Sequence, residues 1–219
     1  VDALFVNADG NTDGRTNGTV YGVQAGNAKF RDVNKDGVIN DSDAGIIGNG
    51  QPVFNWGWNN RVTYKNWDLT LFVIGFHGFD IYNVTDAIGY GGISSASYDV
   101  VTPKKSLLKR WTPDNTSSNI PGFVYQKTPY AGYSTRFVEK GDFIKVKSIT
   151  LGYNLPKHIC QKWAISNLRV YGSVQNPFMI TDYSGMDPES TLGTPLTQGI
   201  DWGSYPNSRN FIVGLNFSF

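Results

Sequence analysis

The sequence predicts an all-β chain made of about five strands and the long external loops of a large transmembrane antiparallel β-barrel. Three observations point there. The 219 residues contain 13 Phe, 12 Tyr, 6 Trp and 25 Gly, a composition suited to strands and turns rather than helices. Several segments alternate apolar and polar residues over about 10 to 12 positions, close to the length that crosses a bilayer at a tilt and longer than usual soluble strands. The connections alternate between short and very long, as periplasmic turns and external loops do in such barrels.

Residues 1–52 form the first region, an external loop rich in Asn, Asp, Gly and Thr that contains a cation-type loop over 32–43. Residues 53–219 carry the strands, expected over 53–65, 67–78, 142–156, 165–176 and 208–219. In the first strand Phe54, Trp56, Trp58, Val62 and Tyr64 share one face, and Asn55, Gly57, Asn59, Arg61 and Thr63 the other. Lys65-Asn66 turns the chain into a second strand with Trp67, Leu69, Leu71 and Val73 in phase. An external loop over 79–141 follows, with one short helix candidate around Ser106 to Arg110. The third strand sets Ile149, Leu151 and Tyr153 against Ser148, Thr150 and Gly152, and ends at Pro156. Lys157 to Ala164 leads to the fourth, where Leu168, Val170 and Val174 oppose Arg169, Tyr171, Ser173 and Gln175. After the external loop 177–207 the last strand alternates Phe211, Val213, Leu215, Phe217 and Phe219 with Asn210, Gly214, Asn216 and Ser218.

Tyr64, Trp67, Tyr153 and Phe219 sit near strand ends on the apolar side, where aromatic girdles form. Lys145 and Lys147 share the phase of Ile149 and Leu151, so both are expected to lie above the apolar band, since a charge at mid-membrane costs about 2–4 kcal/mol.

Nineteen basic and 18 acidic side chains give no reason to expect a nucleic-acid partner. The single Cys160 excludes an internal disulfide. Leu69 to Phe76 is far shorter than the ~20 residues of a membrane helix, so any crossing is made by strands. The start at Val1, with no signal peptide, suggests a piece of something longer. His77 and His158 lie in no carboxylate or cysteine constellation, and no phosphate loop, nucleophile elbow or paired-carboxylate motif appears, so no enzyme is expected. Trp111, Tyr130, Tyr133, Trp202 and Tyr205 lie in external loops, where aromatics pack the loop or a partner more often than they stack on sugars.

The sharpest chemical signal is the run from Asp32 to Asp43. It follows the twelve-residue calcium loop, with Asp32, Asn34 and Asp36 at alternate positions, Gly37 at the sixth, the Val38 carbonyl at the seventh, Asn40 acting directly or through water, and Asp43 at the twelfth. A hard cation wants about 6–8 oxygens, which this spacing can supply. Four carboxylates in so short a loop also repel one another unless a cation lies between them. The expected cofactor is a structural Ca2+ held by Asp32, Asn34, Asp36, Val38, Asn40 and Asp43, with Asp41 pointing away. Against it stands a plain Asx-Gly surface turn, and Asp43 is shorter than the usual glutamate.

Five segments together resemble the C-terminal part of SusC/RagA-type TonB-dependent receptors: Phe30 to Asp43 with Ile47-Gly48-Asn49; Arg110 to Pro113; Ser148 to Pro156; Asn176 to Glu189; and Tyr205 to Phe219. The resemblance implies a barrel of about 22 strands in the outer membrane, with the C-terminus on the periplasmic side and the plug and TonB-contacting segment outside this chain. It further implies active import of glycan or peptide nutrients, energy from TonB, a SusD-like surface lipoprotein as partner, contact with outer-membrane lipid, and Phe219 as the barrel-assembly signal. The rival reading from the residues is a secreted carbohydrate-binding β-sandwich with a dockerin-like calcium loop, because alternation alone also suits two packed sheets.

Overall fold

The computed structural model describes residues 3–4, 26, 28–29, 31–36, 41–89, 104–122, 134–163, 165–193 and 196–219. The strands in chain order are β1 (Ala3–Leu4), β2 (Ala28–Lys29), β3 (Phe54–Tyr64), β4 (Trp67–His77), β5 (Asp80–Asn83), β6 (Val138–Lys140), β7 (Phe143–Asn154), β8 (Asn167–Thr181), β9 (Ile200–Asp201) and β10 (Asn210–Ser218). Two short helices, α1 (Val84–Gly89) and α2 (Lys157–Cys160), accompany them. The chain divides into two compact units, one of Val1–Asn49, Tyr82–Val138 and Ile200–Gly203, the other of Gly50–Ile81, Glu139–Gly199 and Ser204–Phe219.

The second unit is built on one five-stranded antiparallel sheet in the order β10-β8-β7-β4-β3. All five expected strands are present. β8 runs to Thr181, past the expected end at 176, because it keeps pairing with the start of β7 as far as Phe143. Lys65, with φ 53°, makes the tight β3–β4 turn, and its ammonium lies 5.3 Å from the Tyr64 ring centroid.

Alternation gives the sheet two chemically distinct faces. One carries Trp58, Leu69, Leu151, Val213, Leu215 and their neighbours, and these large side chains are solvent-exposed, Val213 at 83%. No second sheet covers them among the described residues. The other face carries Arg61, Asp68, Thr150, Arg169 and Ser173; the Thr150 and Ser173 hydroxyls bond at 2.7 Å. Arg169 on β8 reaches across β7 to Asp68 on β4, donating from Nε at 2.9 Å and from a terminal nitrogen at 2.6 Å. Gly152 makes this crossing possible, because a Cβ there would collide with the guanidinium. On the apolar face Gly75 has the matching job of admitting the Trp56 indole.

A β-bulge corrects the expected phase of the lysines. Opposite β4, Val146 pairs with Val73 and Ser148 with Phe72, leaving Lys147 as the extra residue. Asn176 on the neighbouring strand adopts φ 50°, beside the matching irregularity between β7 and β8. The extra residue resets the two-residue period, so Lys145 lies on the face of Ser148 and Thr150, not on that of Ile149 and Leu151.

Beyond the bulge that same face turns apolar and receives the unit's core. Phe79, Ile81, Phe143 and Tyr183 are buried together, with Ile74, Phe76, Met179 and Leu192 packed against them. Phe143 stacks on Phe76 at 5.1 Å and meets Phe79 edge-on at 6.4 Å.

In the first unit β1 pairs with β2, and β9 pairs in parallel with β5 at Tyr82 and Asn83. The Asn83 side chain accepts from the Asp86 backbone N–H at 2.9 Å at the start of α1, and Lys104 ion-pairs with Asp86. The region 79–141 holds more local structure than its single expected helix. The 3-10 turn at Lys105–Lys109 matches that candidate, while α1 and a second 3-10 turn at Thr135–Phe137 were not evident, because each is only one turn of helix or two and leaves little periodic signal.

Gly152→Val should displace Arg169 and leave the Asp68 carboxylate, 1% exposed, buried without its bidentate partner. Breaking such a pair costs about 3–5 kcal/mol. Denaturant unfolding should show that loss, and Gly172→Val, placed where a Cβ meets nothing within 4 Å, should not.

Candidate functional site

A lysine buried in a strand needs counter-charge close by. Lys145 is 3% exposed, and its ammonium donates to Asp187 at 3.0 Å and to Glu189 at 2.6 Å. Lys147, on the bulge, donates to the other Glu189 oxygen at 2.9 Å. The Asn207 side chain donates to both carboxylates at 3.1 Å, and its backbone N–H reaches Asp187 at 3.1 Å. Asp187 also caps the 3-10 turn Pro188–Leu192 by accepting from the Glu189 backbone N–H. Burial pushes the Asp187 carboxyl up, but the hydrogen bonds from Lys145 and Asn207 outweigh it and hold the group below the usual carboxylate range.

This network fastens both feet of the β8-to-β10 connection to β7. It draws together three stretches that look unrelated in sequence: the Lys145–Lys147 pair, Asp187-Pro188-Glu189, and Asn207. Sequence reasoning missed it. The available signal was two lysines, Lys145 and Lys147, inside a strand that itself carries no acidic residue.

In the cation-type loop Asp43 turns back on the loop's start, accepting from the Val33 and Asn34 backbone N–H groups at 2.8 and 3.3 Å. The Asn34 side chain donates to Asp36 at 2.9 Å and accepts the Asp36 backbone N–H at 2.9 Å. Asp32 and Asp43 are half-buried, Asn34 and Asp36 exposed. The fold therefore brings the twelfth position against the second and third. Val38 and Asn40, with Gly37, lie outside the described residues, as does the Asp41 side chain. Among the described residues no group of three or more His, Cys, Asp or Glu side chains could hold a metal ion.

Of the loop aromatics, Trp111 is 9% exposed: its ring lies against Gly26 of the first region, and its backbone N–H donates within its own loop to the Ile120 carbonyl at 2.7 Å. Trp202 and Tyr205 are exposed at 66% and 95%, and Tyr130 and Tyr133 lie outside the described residues. His77 closes the loop end of the β3–β4 hairpin, accepting from the Trp56 indole N–H at 3.2 Å and lying 3.5 Å from Asp142. Phe219 is 91% exposed and meets Phe217 edge-on at 5.5 Å.

No family model matches the chain. Over 201 residues it is 34% identical to the TonB-dependent receptor P3 of Formosa agariphila, a match covering 89% of this chain and 19% of that protein. The TonB-dependent receptor SusC of Bacteroides thetaiotaomicron is 30% identical over 195 residues, 87% of this chain and 17% of its own length. The chain belongs with the SusC/RagA-type TonB-dependent receptors. Its fold agrees with theirs: the RagAB peptide importer in its open-open state matches 77% of this chain and 17% of that chain with a TM-score of 0.63 at 25% identity. The chain spans about a fifth of the length of the curated relatives it matches. Receptors of this family are outer-membrane proteins and not enzymes.

Lys145→Met should leave Asp187 and Glu189 facing each other without their buried cation and free the connection after Tyr183. Limited proteolysis should then cut within 184–206, which the unaltered receptor resists. Because the Asp187 pKa is lower folded than unfolded, its contribution is complete above the unfolded value near ~3.9 and fades as pH falls through the folded value. The unaltered receptor should thus become cleavable in the same place only at pH below about 4.

Proposed function

We propose that this chain forms five adjoining strands and the external loops of an active importer, closed into a transmembrane β-barrel whose missing strands pair with the open edges of β3 and β10. The carrying observation is the exposed apolar face shared by all five strands, set back to back with a polar face rich in ion pairs. A soluble sandwich would bury that apolar face on a second sheet; lipid is the solvent that suits it as it stands. The 11 residues of β3, at about 3.3 Å each and tilted by about 40°, cover roughly 28 Å, enough to span the ~25 Å height of a barrel's apolar band.

In this reading the long connections are external, the β3–β4 and β7–β8 turns and the C-terminus are periplasmic, and Phe219 is the barrel-assembly signal. TonB supplies the energy and a SusD-like lipoprotein is the surface partner. The substrate class is glycan or peptide; the matching RagAB structure is described as a peptide importer, which favours peptide. The cation-type loop takes Ca2+ through Asp32, Asn34, Asp36, Val38, Asn40 and Asp43, supported by the return of Asp43 onto residues 33 and 34. Its role is to stiffen an external loop.

The full-length receptor should leave the membrane only with detergent and run as a heat-modifiable band, with Leu215→Arg or loss of Phe219 lowering the amount of that band. Recovery from cells in buffer alone, as a soluble monomer, would refute the barrel. Calcium titration followed calorimetrically should show one site that Asp32→Ala/Asp36→Ala removes, while the heat-modifiable band is unchanged. Absence of binding at millimolar calcium reduces the loop to a turn.

A further inference from the structure

The turn end of the sheet carries a charge pattern that import does not explain. Both turns of this unit lie at that end: register places Trp67 beside Tyr153 and Tyr153 beside Val170, and the Asn154 backbone N–H donates to the Asn66 carbonyl at 2.8 Å. β10 finishes there too, with Phe217 opposite Leu168. Residues 65–66 and 155–166 contain Lys65, Lys157, His158 and Lys162 and not one Asp or Glu. All four basic side chains are exposed, and none is in an ion pair among the described residues. The nearest acid on the strands, Asp68, is buried on the opposite, polar face and held by Arg169. At the other end of the sheet Lys140 pairs with Asp80 at 2.8 Å, and Lys145 with Asp187 and Glu189.

Directly above this basic rim lies the exposed apolar face, beginning with aromatics. Tyr64 is 67% exposed, Trp67 49% and Phe217 57%, and Trp67 and Tyr153 contact at 4.7 Å. The Lys65 ammonium rides over the Tyr64 ring, so its aliphatic stem follows the apolar wall while its charge stays at the rim. Cation, aromatic belt and hydrocarbon wall in that order match the order of parts in a lipid: anionic headgroup, glycerol region, acyl chains.

We propose that this rim binds anionic phospholipids of the leaflet on the turn side, with Lys65, Lys157 and Lys162 on the headgroup phosphates and the acyl chains along Trp67, Leu151 and Phe217. The site rests on the membrane-barrel reading above. A phosphate alone would use the lysines but gain nothing from the apolar wall, and an acidic protein would not fit against a face that needs hydrocarbon.

The test uses the full-length receptor in detergent micelles containing equimolar phosphatidylglycerol and phosphatidylethanolamine, with retained lipid counted by native mass spectrometry. Phosphatidylglycerol should be retained preferentially, by about fivefold for each lysine engaged, and the preference should fall at about 1 M salt. Replacing all three lysines by Gln should abolish it, and replacing them by Arg should keep it. Excess glycerol phosphate should not displace the lipid. Equal retention of the two lipids by the unaltered receptor, a preference that survives the Gln variant, or displacement by glycerol phosphate would each overturn the proposal. If the Gln variant does not fold, the salt dependence and the Arg variant decide. A receptor that stays soluble without detergent and retains neither lipid overturns the membrane reading itself, a result distinct from equal retention.

Discussion

A strand shows alternate side chains to opposite sides, and in the five-stranded sheet one side is apolar and exposed while the other is polar and paired. This constraint governs most of what is observed. On the apolar face large residues such as Trp58, Leu69 and Leu215 stay exposed, with no second layer over them among the described residues. The polar face cannot be left so bare. Its charges are paired within the sheet or by the loops above it, and the glycine at 152 exists to let one such pair form across an intervening strand.

The two ion networks solve the same problem at different heights. Near the turns, Asp68 takes both hydrogen bonds of Arg169, with Arg61 only at 4.0 Å, so the pair is complete within the strands. Near the loops, Lys145 finds no acid on a neighbouring strand and takes Asp187 and Glu189 from the connection after β8. Folding of that connection and neutralisation of the strand are therefore one event. Such buried pairs add little net stability over apolar packing, yet they hold a geometry firmly because half a pair is so unfavourable.

The alternation of Phe211, Val213 and Leu215 against Gly214 and Asn216 made the strands and their two faces legible, as did the short Lys65-Asn66 turn and the length of the loops. The Lys147 bulge was not legible, since one extra residue has no compositional mark and is created by pairing with strands distant in sequence. The network at Asp187 was hidden for a related reason: its members are about 20 to 60 residues apart, and only the register of β7 with β8 brings them together. The cation loop is the reverse case. Its local spacing is visible at once from Asp32 to Asp43, and the fold adds only the return of Asp43 onto residues 33 and 34.

The bulge at Lys147 acts on the sheet as a frameshift acts on a coding sequence. From Ser148 onward, even-numbered residues of β7 lie on the polar side; before it, the odd-numbered ones do. Ile144 and Val146 therefore belong with Leu151, and Lys145 with Thr150, although simple counting gives the opposite grouping. Any comparison of variants along β7 must change parity at this residue. A polar replacement at 144 and one at 150 fall on different sides of the wall, however alike they look in an ungapped alignment.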